Sequence, residues 1–555
     1  MRMHDEVTSL IGELERIVER ASVHLASSSV VDGTVDPARL DDDQVRAYDL
    51  AVVASGVAAA AALAAQGGDD VARLALVFAA EVAADLTARA AGRHDAWGLD
   101  ASVLGTLEEG IAAGRASALI DAVAEEVLAT SEAGPRHLSF ELELVRSTFR
   151  RFSDERVAPI AEHVHRSDED LPEDIITGLA ELGCFALSIP EEHGGLATGG
   201  DDELVSMVVV TEELSRGSLG VAGSLITRPE IIGTAILGGG TDAQRSSWLP
   251  RIASGEAMCA VAVTEPDAGS DVGAVRMGAR RDGDGWVLDG VKTWCTFAGR
   301  ADLLLVLART DEDRSIGHRG LSLFVVEKPR RSGHAFEVVQ EGGGRIEARA
   351  IATLGYRGMH SFEVAFHGWR VPGDALIGGD EGLGRGFYLQ MRAFANARLQ
   401  TAARAQGVMQ AALEAAVSHA RTRRAFGRSL AEFGLPRERI ARMAATLAAC
   451  RALSLEVARQ LARGGPEAQL TASQVKQLAC RSAEWVTREA QQLHGGYGYA
   501  EEYAVSRLFV DARVLSIFEG ADEVLAIRVI ARGLVASVAA RRTASGAVRP
   551  PAAVG

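Results

Sequence analysis

The feature that most constrains this 555-residue chain is a change of texture that happens twice. From 257 to 373, short β-prone runs such as AVAVTE, GWVLDGVKTW, LLLVLART, LSLFVVEK and SFEVAFHGWRV are separated by Gly/Asp turns such as DGDG. On either side the sequence reads as helix. Residues 137–256 form one helical block, in which Leu142, Val145, Phe149 and Phe152 recur at spacings of three and four and mark one buried helix face. Residues 376–535 form another. In front of both lies a segment, 1–133, rich in Ala, Leu, Val, Glu and Arg, which predicts helices throughout and closes at Ser131–Pro135. It carries no polar constellation and reads as a packing or interaction domain. The Pro-containing stretch 536–555 predicts a disordered tail. The expected fold is mainly α, with a central antiparallel β-domain between two helical domains and an extra helical domain in front.

Charge and cysteine usage narrow the function classes. A formal net charge of −17 disfavours general nucleic-acid binding and supplies no basic anchor for a membrane surface. The five cysteines, Cys184, Cys259, Cys295, Cys450 and Cys480, have neither CxxC spacing nor any metal-ligand pattern; core packing in a reducing compartment explains them, and no metal is expected. The first twenty residues are charged and amphipathic, without the apolar stretch of a signal peptide. The most apolar run, Ala51–Ala65, reads as too short to span a bilayer. A cytoplasmic location is the expectation.

Five segments carry candidate chemistry, and each also has an ordinary explanation. VTEPDAGSD (Val263–Asp271) offers small residues that let backbone N–H groups approach a bulky ligand, with hydroxyls at Thr264 and Ser270, or it is a turn followed by a helix cap. In KTWCTFAG (Lys292–Gly299), Trp294 suits stacking on an aromatic ring and Thr296 a hydrogen bond to it, or Trp294 is core. TRRAFGRSL (Thr422–Leu430) sets Arg423, Arg424 and Arg428 around Phe426, or is a solvated helix face. QQLHGGYGYAEEY (Gln491–Tyr503) carries Gly495-Gly496 after an amphipathic helix, or these glycines are a helix C-cap. RVLSIFEGADEVLAIRVIAR (Arg513–Arg532) places Glu519 after an apolar run and just before another helix, whose first turn would also favour an acidic residue.

Together, in this order and spacing, these segments resemble the acyl-CoA dehydrogenase family over residues 138–535. The resemblance implies an FAD-dependent enzyme that oxidises the Cα–Cβ bond of an acyl-CoA. It implies that Val261, Val263, Thr264, Gly269 and Ser270 line the flavin, and that Trp294 and Thr296 pack against its ring. Arg423, Phe426, Gln492, Gly495 and Gly496 match positions that reach the FAD of a neighbouring subunit, which implies a homo-oligomer. Arg398 matches a CoA-contacting arginine, while Ser270 and Gly520 match substrate contacts. Glu519, in IFEG, matches the catalytic base. An α-proton of a thioester is weakly acidic, so its base works best in a dry site, and Leu515, Ile517 and Phe518 are expected to supply one. Some members carry the base on the helix matching Asn396–Leu399; Ala397 stands there and cannot serve. The chain departs from the family pattern at Ala521, often Thr, and at Gly434-Leu435, where Gln is common.

The front segment, with EELSRGSLGVAGSLITRPEI, GTDAQRSSWLP, LGYRGM and FEGADEV, resembles one group within the family, the (2S)-methylsuccinyl-CoA dehydrogenases of the ethylmalonyl-CoA pathway. That likeness implies mesaconyl-CoA as product and a cation for the substrate's free carboxylate. Arg228 is the candidate, with a surface or loop-capping role as its alternative. Electrons are expected to leave through an electron-transfer flavoprotein, and the front domain is expected to favour a dimer over a tetramer. Competing readings are a dehydrogenase for another short or branched acyl-CoA (butyryl, isobutyryl or glutaryl type), an acyl-CoA oxidase or flavin monooxygenase, and a non-catalytic scaffold.

Overall fold

The computed structural model describes residues 2–465 and 467–544. They divide into two compact units, one spanning Phe140–Gln400 and one combining the described parts of Met1–Ser139 and Thr401–Gly555. The 37-residue helix Gly386–Thr422 contributes to both.

The first unit begins with helices. In Phe140–Phe152 the expected face is partly buried: Leu142 and Phe149 are inside, while Val145 and Phe152 are half-exposed. An eight-stranded sheet follows: β1 (Cys259–Ala262), β2 (Gly278–Asp282), β3 (Gly285–Thr296), β4 (Leu303–Arg309), β5 (Leu321–Glu327), β6 (Ala335–Val339), β7 (Arg345–Ala350) and β8 (Ser361–Val371). Its order is β1-β4-β2-β3-β8-β7-β6, with β5 also pairing β4, so β4 has three neighbours and the sheet curls. Most pairs are antiparallel, as expected, but β1 and, at the single pair Gly278 with Arg309, β2 run parallel to β4. The chain forms β2 and β3 after leaving β1, and β4 then enters between β1 and β2. All seven residues of β4 are buried, which explains its apolar run LLLVLA; the closing Arg309 is satisfied by the backbone carbonyls of Val275, Gly317 and Gly273. One face packs Leu303, Leu305 and Leu307 against Ile232, Ile236, Leu249 and Ile252 of two helices, Thr227–Gly239 and Asp242–Ala253. The other packs Leu304 and Val306 against Trp286, Phe324 and Phe366.

In the second unit the front segment packs on the C-terminal helices. Helices Gln44–Ala64, Asp69–Ala90 and Ser117–Thr130 lie against Gly434–Ala462, and Gln44–Ala64 also lies against Ala468–His494. Polar contacts mark the seam: Arg437 Nε donates to Asp121 at 2.6 Å, Arg528 to Asp41 at 2.6 Å, and Gln410 Nε2 to the Ser131 carbonyl at 2.9 Å. Three expectations are corrected here. The front segment is not helical throughout, because Val30–Val31 and Thr34–Val35 pair as a hairpin across Asp32-Gly33, both at positive φ, the two-residue turn that Asp-Gly favours. The apolar run belongs to a 21-residue helix, long and apolar enough to cross a membrane by length and composition, yet two-thirds of its most apolar window is buried against other helices. The tail does not start at 536: helix Arg532–Ala544 continues through it, burying Val535, Val538 and Ala539 at helical spacing. The remainder of the expected tail lies outside the described residues.

All five cysteines are free and buried. Burial pushes each thiol up, Cys295 to about 12 and Cys480 to about 11, so none is a thiolate near neutral pH.

Candidate active site

Buried ionic contacts assemble the segment expected to meet the flavin. Val261 is half-buried at the end of β1, and the chain then turns: Glu265 and Ala268 exchange backbone hydrogen bonds of 3.0 and 3.1 Å around Pro266-Asp267. The turn reading of VTEPDAGSD therefore holds, although no side-chain cap forms at Asp271. Lys292, fully buried in β3, donates to the Val263 carbonyl at 2.9 Å and to Glu265 Oε1 at 2.8 Å. Glu265 in turn accepts the backbone N–H groups of Arg276 and Met277, each at 2.8 Å. Burial lowers the lysine's proton affinity while the adjacent Glu265 charge opposes that shift. This pair, together with the Thr293 N–H on the Thr264 carbonyl at 2.9 Å, lays Val263–Thr264 alongside Thr293–Trp294.

Trp294 is not core. It sits at φ 58 at an irregularity within β3, where the pairing with β8 shifts register, and is 54% exposed, whereas buried Thr296 places its hydroxyl 2.8 Å from that of Ser361. Gly269 and Ser270 are exposed. Lys292 and Glu265 escaped the sequence reading although both stand inside the quoted segments. Their signal was an acidic residue closing the otherwise uncharged run AVAVTE and a lysine within β3, charges that must be paired where they are buried.

Arg228 occupies the first turn of helix Thr227–Gly239 and is only 5% exposed, which excludes the surface alternative. Its Nη1 donates to the Ser224 carbonyl at 3.1 Å and to the Tyr356 hydroxyl at 3.0 Å. Tyr356, in LGYRGM, is itself held at φ 60. Gly220 permits the approach of that loop, since a Cβ there would stand 2.1 Å from the Arg357 carbonyl. Among the described residues no carboxylate pairs with Arg228. A buried guanidinium with hydrogen bonds but no counter-charge is costly. On the long helix, Arg398 is buried and Ala397 is fully buried with no group to take a proton. Its neighbours Asn396 and Gln400 donate to buried Glu230 at 2.8 and 3.1 Å.

In the second unit Glu519 lies in a bend, not in a helix: the next helix, Asp522–Val524, is capped by Ala521. The first-turn alternative therefore fails. Glu519 adopts φ 54 and Gly520 φ 102, a conformation that costs a non-glycine residue about 1–3 kcal/mol unless its surroundings enforce it. Three side chains do so. Lys476 Nζ donates to the Gly520 carbonyl at 2.6 Å, the Arg404 guanidinium stacks 4.7 Å from the Phe518 ring, and Asp522 Oδ2 accepts the Tyr48 hydroxyl at 2.6 Å and Arg481 Nη1 at 3.3 Å. Tyr48 belongs to the front segment. Burial and the Asp522 hydrogen bond push its phenol up to about 12. The apolar wall expected around Glu519 is only partly built within this unit: Leu515 is buried and Phe518 half-buried, but Ile517 is 54% exposed.

The arginine segment also differs from expectation. It is not a helix face: Arg424-Ala425 and Arg428-Ser429 pair as a tight hairpin with Phe426-Gly427 at its tip, both at positive φ. The arginines do not surround Phe426, which is 97% exposed; Arg428 lies 3.9 Å from the Phe433 ring, Arg423 lies 5.6 Å from the Tyr497 ring, and Arg424 donates to the Gly427 carbonyl at 2.7 Å. Gly495 is the C-cap of helix Ala468–His494, at φ 60 and ψ −135, where glycine is required. Arg423, Gly495 and Gly496 nevertheless come together in a cleft of about 600 Å³ lined also by His419, His494 and Tyr497. Gln492 is exposed and outside that lining. The two histidine rings stack 4.2 Å apart; burial, followed by the charges of His494 and Arg423, lowers His419 to about 4.

These surfaces suit FAD. One unit offers an indole exposed for a flat ring and hydroxyls on the adjoining turn, and the other an open cleft with a cation suited to an anionic group. The family models for the N-terminal, middle and C-terminal domains of acyl-CoA dehydrogenase match residues 139–256, 260–368 and 384–535. A (2S)-methylsuccinyl-CoA dehydrogenase of Cereibacter sphaeroides is 47% identical over 403 residues, covering 72% of this chain and 71% of that protein. A glutaryl-coenzyme A dehydrogenase solved with glutaryl-CoA aligns with a TM-score of 0.63 at 30% identity, over 74% of this chain and 96% of that one. A Mycobacterium smegmatis glutaryl-CoA dehydrogenase in complex with FADH2 aligns at 0.60 and 26% identity, over 74% and 95%. The chain belongs to the acyl-CoA dehydrogenase family and is an FAD-dependent oxidoreductase acting on CH–CH bonds.

Proposed function

We propose that this chain oxidises (2S)-methylsuccinyl-CoA to mesaconyl-CoA, as a step of the ethylmalonyl-CoA pathway. The observation that carries the choice of acyl group is Arg228, a buried guanidinium held by the Ser224 carbonyl and the Tyr356 hydroxyl and lacking a carboxylate among the described residues. Its free donors would take the distal carboxylate of a dicarboxylic acyl group. Glu519 removes the α-proton, and its own N–H polarises the thioester carbonyl. Arg398 binds the CoA portion, with Ser270 and Gly520 beside the acyl chain. Val261, Val263, Thr264, Gly269, Ser270, Trp294 and Thr296 hold and orient the flavin, and FAD, when bound, supplies the hydride acceptor. An electron-transfer flavoprotein then receives the electrons.

The assembly proposed is a cytoplasmic homodimer. Phe426, 97% exposed at its hairpin tip, is placed to meet another subunit with Arg423, Gln492, Gly495 and Gly496 nearby in sequence or space. The front helices cover faces of Gly434–Ala462 and Ala468–His494 that are then closed to a second dimer. Light scattering is expected to give a dimer; a stable tetramer would overturn that part.

The substrate test is Arg228→Met. Removing one partner of a desolvated charge pair costs about 2–5 kcal/mol, or roughly 30- to several-thousand-fold in kcat/KM. That loss is expected with methylsuccinyl-CoA, and with glutaryl-CoA if it is turned over, but not with butyryl-CoA. Equal losses on charged and uncharged acyl groups would show that Arg228 does not read the carboxylate.

A further inference from the structure

Away from the site just described, three residues far apart in sequence bring ligand atoms to one point. His334 Nε2 lies 3.2 Å from His360 Nε2, and Asp168 Oδ1 lies 3.3 Å from His360 Nε2, with its Oδ2 3.8 Å from His334 Nε2. All of these ligand atoms fall within 4.8 Å of one another. Two imidazoles and a carboxylate bound to tetrahedral zinc at about 2.0–2.1 Å would stand about 3.3 Å apart, the tetrahedral edge. The two rings are nearly perpendicular, at 79°.

The surroundings favour the same reading. The other nitrogen of His360, Nδ1, is 2.9 Å from Asp170 Oδ1, so a carboxylate would take the Nδ1–H and direct the Nε2 lone pair inward. Asp170 is itself fixed by the Gly333 N–H at 2.7 Å, next to His334. Asp168 at φ 51 and His360 at φ 34 are both non-glycine residues held in the left-handed region. Burial is graded: His360 is 6% exposed, Asp168 is half-exposed, and His334 sits at the surface, leaving an entry path and a position for water. Without an ion the same atoms can satisfy one another, since His334 Nε2 also reaches the Asp168 carbonyl at 2.8 Å, and Arg357 Nε approaches Asp168 Oδ1 at 3.6 Å.

The geometry points to a divalent transition-metal site, of zinc type, ligated by Asp168, His334 and His360 with Asp170 as the outer partner of His360. No sequence spacing announces it, because its ligands come from a helix C-cap, the loop before β6 and the residue before β8. Its role is structural. The Phe297 N–H bonds the carbonyls of His360 and Met359 at 2.8 and 3.0 Å, and Thr296 meets Ser361, so an ion on His360 would brace the strand end that carries Trp294 and the loop that carries Tyr356.

The test uses the full-length FAD-loaded protein, stripped with a chelator and titrated with Zn2+ and, as a spectroscopic probe, Co2+. One equivalent per chain is expected, with visible Co2+ bands of a four-coordinate nitrogen–oxygen site and a higher Tm for the zinc-loaded protein. Asp170→Asn is expected to weaken binding by about 10–100-fold. His334→Ala is expected to abolish the Co2+ bands and the zinc-dependent rise in Tm. The His334 side chain is exposed, so this variant should retain FAD absorbance and the metal-free Tm of the parent. No stoichiometric binding, or binding undiminished in His334→Ala, would overturn the proposal, the latter showing only adventitious surface histidines.

Discussion

The Val263–Thr296 region and the Ser516–Asp522 loop solve the same problem, holding a reactive surface still, by opposite means. In the first, sheet hydrogen bonds supply the geometry, and one buried pair, Lys292 with Glu265, clamps the turn to the strand. In the second no ladder exists. A backbone at positive φ is held by side chains arriving from other helices: Lys476 on Gly520, Arg404 on Phe518, and Tyr48 with Arg481 on Asp522. A sheet positions with its backbone, whereas a bend must be pinned from outside. This explains why damage to the first should appear as lost folding and damage to the second as lost turnover.

The sharpest test of that contrast is Glu519→Gln. The amide keeps the shape of the bend but accepts no proton, so substrate-driven flavin reduction should fall by at least about 10²–10⁴-fold while FAD and acyl-CoA binding persist. Stopped-flow bleaching of the flavin measures it, and near-normal reduction would remove Glu519 from its role. Lys292→Met should act on the other side of the comparison. It strands a buried carboxylate, at about 3–5 kcal/mol in a chemical denaturation experiment, with loss of bound flavin. Adding Glu265→Gln should recover part of that cost; no recovery would mean the pair is not the clamp.

Tyr48→Phe removes one pin from outside. A hydrogen bond to a charged acceptor contributes about 1.5–3 kcal/mol at most, and this one is partly exposed, so a fall of a few fold in kcat with KM nearly unchanged is expected. An unchanged kcat would show that the front helices do not hold the base loop. The smallest effect concerns acidity. His419 takes up a proton less readily folded, near pH 4, than unfolded, near 6.5, so the unfolded chain binds more protons between those values and stability falls as pH drops through that window. Denaturation midpoints measured from pH 7 to 4 should fall less steeply in His419→Gln.

What the sequence conveyed follows the same division. Near-continuous apolar runs marked β1, β4 and β5, because strands buried on both faces need them, while β3 and β8 were marked by their length and their β-branched and aromatic residues. The strands β2, β6 and β7 were missed because Gly278–Asp282, Ala335–Val339 and Arg345–Ala350 set charges on an exposed side and gain stability from their neighbours. Glu519 was named through its motif, but its left-handed bend and its reliance on Lys476, Arg404 and Tyr48 were invisible, since those pins lie 43 to 471 residues away in sequence. Arg228 was named from resemblance; its missing counter-charge is a property that only packing reveals. The Phe426 hairpin was misread because a run of arginines has no period that separates a helix face from a turn.

The seam between the front helices and the C-terminal bundle bears on how the chain tolerates cutting. The connection after helix Ser117–Thr130 is irregular and partly exposed through Ser139, a natural target for limited proteolysis. A nick there severs one peptide bond but none of the contacts of Arg437 with Asp121, Arg528 with Asp41 or Tyr48 with Asp522. The two fragments should therefore remain associated and keep turning over, separating only in denaturant. The same logic should allow them to be produced as separate polypeptides and to reassemble by complementation, whereas the longer fragment alone would expose a broad greasy flank and precipitate.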